Sequence, residues 1–247
     1  MNAADKLKNI RVVLCGTSHP GNIGAAARAL KTMGLTRLYL VTPAQFPDPE
    51  ARWRAVRATD ILARATLCAN LDEALNGVAF AVACSARSRE VAVPEVPARE
   101  AARRVIDAAS GQQAALVFGN ETHGLTTAEV NKCRLLATIP ANPKYSSLNL
   151  AAAVQVFAYE LRMAAMDGAA RGEKSGSRAF ASFEEVEGFY EQLERTMVEV
   201  GFLNPQHPKK LMPRLRRLFA RAQLEKEEVN ILRGLLKALG RLRSGRR

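Results

Sequence analysis

Five short runs in this chain are apolar at consecutive positions rather than at alternate ones. They are 10–15 (IRVVLC), 37–42 (RLYLVT), 78–84 (VAFAVAC), 114–118 (AALVF) and 135–139 (LLATI). A strand that reads this way has no solvent face. Such strands occur in parallel sheets covered by helices on both sides. The segments between them carry helical patterns at 23–33, with Gly34 as the stop, at 98–109 and from the Thr126 cap to 132. Another alanine-rich helix runs to about Arg162, and shorter helices are expected at 50–57, 60–65 and 71–76. The alternation of strand and helix predicts an α/β fold, a parallel sheet with helices on both faces.

In sheets of this kind ligands sit beyond the carboxyl ends of the strands. Four polar loops fall there: 16–22, 85–89, 119–124 and 140–149. The first follows a strand and opens a helix, which invites a dinucleotide reading. That reading fails, because Gly16, Gly21 and Gly24 do not form G-x-G-x-x-G and the second strand ends without an acid. No G-x-x-x-x-G-K-[ST] phosphate loop is present either. The last loop, IPANPKYSSLN, places Ser146, Ser147 and Asn149 ahead of a helix. Their side-chain oxygens suit a helix N-terminus, where backbone donors also suit a polar ligand. Taken alone, that stretch reads equally as a strand, a turn and a capped core helix.

The chain is 247 residues long with a formal charge of +12, which points to an anionic partner such as nucleic acid or to a solvated basic surface. The excess is concentrated: residues 205–247 hold 13 Lys and Arg against 3 Glu. Cys15, Cys68, Cys84 and Cys133 include no CxxC pair, so buried free thiols are expected, with no disulfide framework and no metal site. The three histidines are scattered. No run approaches the ~20 apolar residues that span a bilayer, and no signal core opens the chain, so a soluble, cytoplasmic protein is expected. A Gly-, Ser- and charge-rich break leads to Ser182-Phe183-Glu184-Glu185, a capping box. The expected organisation is a domain at 1–166, a linker at 167–181 and a basic helical module at 182–247, with helices to Val200, at 209–223 and at 225–243.

Three stretches together resemble one family. N-x-G-x-x-x-R (Asn22 to Arg28), F-G-N-E-x-x-G (Phe118 to Gly124) and the I-P…S-S-L-N run (Ile139 to Asn149) are similar, in order and spacing, to the three motifs of the SpoU-type (SPOUT) RNA 2′-O-methyltransferases. The similarity covers about residues 8–165. The run S-H-P-G-N-I-G (Ser18 to Gly24) and the basic C-terminal extension resemble the branch that methylates the ribose of a cytidine or uridine at nucleotide 32 of the tRNA anticodon loop.

The resemblance implies a trefoil-knotted SPOUT fold, which composition does not show, since knots are rare. It implies a homodimer with the active site at the interface, and S-adenosyl-L-methionine as methyl donor. Cys84, Ser85, Ala86, Gly119, Ile139, Ser146, Ser147 and Leu148 would line the donor's pocket. Arg28 would be the key catalytic residue, reaching in from the partner subunit, with Asn22, Glu121 and Asn149 orienting it and the ribose. An arginine is a poor base, so the proton acceptor stays open at this point. Lys209, Lys210, Arg214, Arg216, Arg217 and Arg221 would bind tRNA phosphates. Leu211, Leu215 and Leu218 form an apolar stripe that suits a helix packed against a partner protein or the dimer, and both roles can hold on different faces. Two other functions remain: the same chemistry at another tRNA or rRNA position, and RNA binding without catalysis.

Overall fold

The structure is a computed structural model that describes residues 2–86, 93–171 and 179–244. Its strands are β1 (Ile10–Cys15), β2 (Arg37–Val41), β3 (Thr66–Cys68), β4 (Val78–Cys84), β5 (Glu95–Pro97), β6 (Gln113–Phe118) and β7 (Leu135–Thr138). Its helices are α1 (Ala3–Lys8), α2 (Pro20–Met33), α3 (Pro49–Ala55), α4 (Thr59–Ala63), α5 (Leu71–Leu75), α6 (Ala98–Ala108), α7 (Thr127–Asn131), α8 (Leu150–Arg171), α9 (Phe183–Glu199), α10 (Leu211–Ala222) and α11 (Lys226–Ser244).

The seven strands form one sheet in the order β3-β2-β1-β6-β4-β7-β5. Every pairing is parallel. All residues of β1 and β4 are buried, as their unbroken apolar character requires. Alternate side chains enter opposite layers. Ile10, Val12, Leu14, Phe80, Val82, Leu116 and Phe118 pack in one cluster with residues of α2, α6 and α8. Val13, Cys15, Ala81, Ala83, Ala115 and Val117 pack in the other with residues of α5 and α7. All four cysteines are free and buried.

The two shortest strands, β3 and β5, were not expected from the sequence. Each is three residues long at the sheet's edge, too short for a period to show. α2 begins at Pro20, three residues before the expected start, because proline at the first helical position needs no N–H partner. α8 runs to Arg171 and takes in the first part of the expected 167–181 linker. The alanines of this stretch favour helix, and one glycine does not end it. Residues 172–178 and 87–92, which hold the rest of the linker's core and Arg87 to Arg89 of the second polar loop, lie outside the described residues.

The C-terminal helices close a third apolar cluster around Phe189, Tyr190, Leu224, Val229 and Leu236. They join the sheet at the amino ends of its strands. Gln112, just before β6, exchanges two hydrogen bonds with the Phe180 backbone, at 2.7 and 3.0 Å. Arg134, just before β7, donates to the carbonyls of Ala79, Ala181 and Leu224 at 2.7, 2.7 and 3.5 Å. Its guanidinium also lies 5.3 Å from the centre of the Phe180 ring. Burial pushes the Arg134 guanidinium down to about 10. These carbonyls come from both sides of the junction, so one side chain satisfies acceptors that would otherwise be stranded. Arg134→Ala is expected to cost about 2 kcal/mol in urea unfolding and to loosen 179–244, read as faster proteolysis there. Unchanged stability and cleavage would contradict this role.

Candidate active site at the carboxyl ends of the strands

The loops that leave β1, β4, β6 and β7 surround a cleft of about 550 Å³, within the range of small-molecule sites. It lies where the chain, having built β2 and β3 to one side of β1, crosses to β4 and the other half of the sheet, the usual ligand position in such sheets. Cys84, Ser85, Ala86, Gly119, Ile139, Ser146, Ser147 and Leu148 all line it. So do Asn22, Glu121 and Asn149. Sequence motifs up to 127 residues apart thus meet in one place.

Glu121 joins them. Its Oε2 accepts from the Ser18 backbone N–H and hydroxyl, both at 2.9 Å. Its Oε1 accepts from Asn22 Nδ2 at 2.9 Å and from the His19 N–H at 3.4 Å. Asn22 in turn uses its Oδ1 to accept from Asn149 Nδ2 at 2.9 Å. Asn149 Oδ1 accepts from Ala151 N–H at 2.9 Å and so caps α8. Partial burial favours the neutral carboxyl of Glu121, but the hydrogen bonds from Ser18 and Asn22 outweigh it and hold the group below the ordinary value of 4.5.

The β6 loop is shaped by Asn120. Its Nδ2 donates to the Gly16 carbonyl at 2.6 Å, and its Oδ1 accepts from the Thr122 N–H at 2.8 Å. Gly16 and Gly124 hold φ of 59° and 69°, a region costly for other residues. Gly119 answers a different need: a Cβ there would lie 2.1 Å from the Leu125 nitrogen. Below these loops Phe118 and Phe157 meet edge to face at 5.5 Å, and burial raises the Cys84 thiol well above its ordinary range. The floor is therefore apolar and uncharged, and the rim is rich in hydrogen-bonding groups.

Arg28 is not part of this lining. It is exposed on α2, the helix whose first turn carries Asn22. The small residues ahead of it serve α3 of the same chain: a Cβ on Gly24 would stand 2.1 Å from the Ala51 carbonyl oxygen. Of the six basic residues assigned to RNA, Lys209, Lys210, Arg214, Arg217 and Arg221 are exposed. Arg216 differs. It forms a two-pronged pair with Glu187 at 2.6 and 2.8 Å and lies 4.3 Å over the Tyr190 ring. Its sequence neighbours gave no sign of this, because the partner residues are on α9. Within the chain α10 packs through Met212 and Phe219, and Leu218 of the apolar stripe is left 50% exposed. His19, Asn120, Tyr145 and Phe157 also line the cleft without having been singled out as site residues. His19 and Asn120 stood inside the motifs, so a signal was present for them.

Because the folded carboxyl of Glu121 ionises more readily than the unfolded one, its stabilisation is complete above pH 4.5 and fades as pH falls through the folded value. Glu121→Gln should therefore be clearly less stable than the unmodified chain at neutral pH, with the gap closing in acid. A gap independent of pH would contradict the charged network. Gly119→Ala should leave the sheet folded by circular dichroism yet distort the 119–125 turn and abolish small-molecule binding in the cleft.

The SpoU rRNA Methylase family model matches residues 9–159, and the model for the C-terminal domain of tRNA methyltransferase TrmJ matches residues 184–247. The tRNA (cytidine/uridine-2′-O-)-methyltransferase TrmJ of Pectobacterium atrosepticum is 47% identical over 94% of this chain and 97% of its own. The crystal structure of TrmJ from Z. mobilis ZM4 superposes with a TM-score of 0.80 at 31% identity, over 93% of this chain and 98% of that one. A probable methylase family protein from Haemophilus influenzae Rd KW20 is 41% identical, with a TM-score of 0.63 over 98% of this chain and 100% of its own. With its fold and both parts of its sequence matched, the chain belongs to the SpoU methylase family, in the TrmJ branch.

Proposed function

We propose that this chain is a tRNA (cytidine/uridine-2′-O)-methyltransferase that uses S-adenosyl-L-methionine to methylate the ribose of the pyrimidine at nucleotide 32 of the anticodon loop. The observation that carries the reading is the single cleft in which residues of all three motifs meet. Its residues fit the donor. Backbone of the 140–149 loop and the small side chains Ser85, Ala86, Ser146 and Ser147 leave room for a purine and its ribose. The apolar floor at Cys84, Ile139 and Leu148 suits the aliphatic part. Gly119 keeps the β6 loop close to the pocket, where a side chain would collide with the turn. The donor brings an already activated methyl group, so the protein's work is alignment and proton removal.

Asn22, Glu121 and Asn149 hold the rim in one geometry, fixed by the chain of 2.9 Å hydrogen bonds. Arg28 acts from a second copy of the chain, in a homodimer that places it at the partner's cleft, where its planar guanidinium binds a tRNA phosphate. This division of work is consistent with its exposure and its absence from its own cleft lining. Lys209, Lys210, Arg214, Arg217 and Arg221 supply tRNA phosphate contacts, and Arg216 supports the module that presents them. The domain at 1–166 performs the chemistry, knotted as a trefoil around the 140–149 loop, and the helices from 182 onward bind substrate in the cytoplasm. Among the described residues no helix is long and apolar enough to cross a membrane.

Methyl transfer to unmodified tRNA, followed by nucleoside mass spectrometry, tests the reading. A 2′-O-methylpyrimidine at nucleotide 32 is the expected product. A mark elsewhere in tRNA or in rRNA would move the specificity, and no transfer to any RNA would overturn the activity. Arg28→Ala should lower transfer by at least about 10²-fold while leaving donor affinity intact; retained turnover would contradict its role. Arg214→Glu with Arg217→Glu should weaken tRNA binding and reduce the slope of log affinity against log salt by roughly 2. Arg216→Glu should instead lower thermal stability.

A further inference from the structure

Transfer to a ribose hydroxyl releases a proton, and the groups bordering the cleft differ in their capacity to take it. Glu121 has both oxygens engaged by Ser18, His19 and Asn22, and is held as a weak base. The Cys84 thiol is buried and keeps its proton. The Tyr145 phenol is 81% exposed and offers only a weakly basic hydroxyl oxygen. A guanidinium such as that of Arg28 has donors only and no acceptor for a proton.

His19 is different. It lines the cleft at the N-cap position of α2, and its side chain makes no capping bond. The residue is exposed, yet its backbone is fixed by the same carboxylate that orders the rim. Proline follows it, so the turn that carries the ring is stiff. Of the charged and titratable groups on neighbouring elements, Glu121 on the β6 loop accepts the His19 N–H, Tyr145 on the β7 loop lines the same cleft, and Glu50 and Arg54 of α3 lie against Gly21. Imidazole is the side chain that changes protonation near neutral pH and serves most often as a general base.

We propose that the His19 imidazole accepts the 2′-hydroxyl proton, an assignment that rests on the methyltransferase reading above. The oxygen forms its bond to the methyl carbon as the carbon–sulfur bond breaks. That bond's electron pair stays on sulfur, leaving a neutral thioether. The hydroxyl proton passes to a ring nitrogen of His19 and then to water. Arg28 and the rim amides position the nucleotide, and His19 touches the reacting group.

Single-turnover methyl transfer across pH 5 to 8.5 tests this with the unmodified chain, His19→Ala and His19→Asn. The unmodified rate should climb with pH across the imidazole range of about 5–8 and then level. Both variants should lose about 10²-fold in rate, together with that climb. Their affinities for S-adenosylhomocysteine and tRNA should stay within about two-fold, the pattern of a group used only in the transition state. Free imidazole added to His19→Ala should restore part of the rate. An active unmodified chain with either variant unimpaired, or with the pH climb retained in both, would overturn the assignment while sparing the methyltransferase reading. An inactive unmodified chain would overturn both.

Discussion

One carboxylate keeps the candidate site in register. Glu121 takes hydrogen bonds from two other parts of the rim, the loop after β1 and the first turn of α2. Through Asn22 it reaches Asn149 and the N-terminus of α8. Without it only two bonds of this network, Asn120 to Gly16 and Asn149 to Asn22, would be left to tie one loop to another. A charged acceptor serves this position better than a neutral one because it receives several donors at once, and bonds to a charged group are about twice as strong as neutral ones. The electrostatic result is a rim whose negative charge is already engaged, above a floor without charge. That leaves room for a cationic sulfonium without presenting it with a strong competing base.

The sheet makes this economy of contacts sufficient. Strands buried on both faces cannot slide by one residue without moving every side chain to the wrong layer. Their carboxyl ends are therefore fixed platforms, and each loop starts from a known place. Glycine is used where those loops must come closer than a side chain permits. Gly119 lies against the Leu125 nitrogen, and Gly24 lets α3 approach α2. The C-terminal helices sit at the opposite ends of the strands, held by Arg134 and Gln112. The C-terminal helices are thus tied to the sheet that carries the cleft, and not to the cleft itself.

The interior of the fold was legible because burial on both faces writes an unbroken apolar run, and the long helices write a 3.6-residue period. β3 and β5 were not legible, since three residues carry no pattern, and their place at the sheet edge is decided by register with β2 and β7. The continuation of α8 past Arg162 was hidden by a composition that looks like a linker. In the site, the motif residues were readable by their spacing; the structure gathers Asn22, Glu121 and Asn149 in the cleft and leaves Arg28 outside its lining. Arg216 was not: its role depends on Glu187 and Tyr190, on a different helix, and a row of basic residues looks alike until the packing separates one from the rest.

The central claim is that the cleft at the carboxyl ends of β1, β4, β6 and β7 is the methyl donor's site. Calorimetric titration of the full chain with S-adenosylhomocysteine, beside a Ser146→Trp variant of unchanged melting temperature, tests it most directly. The account expects saturable binding of one equivalent per chain, lost when the indole fills the pocket. Equal binding by both proteins would place the donor elsewhere and contradict the account.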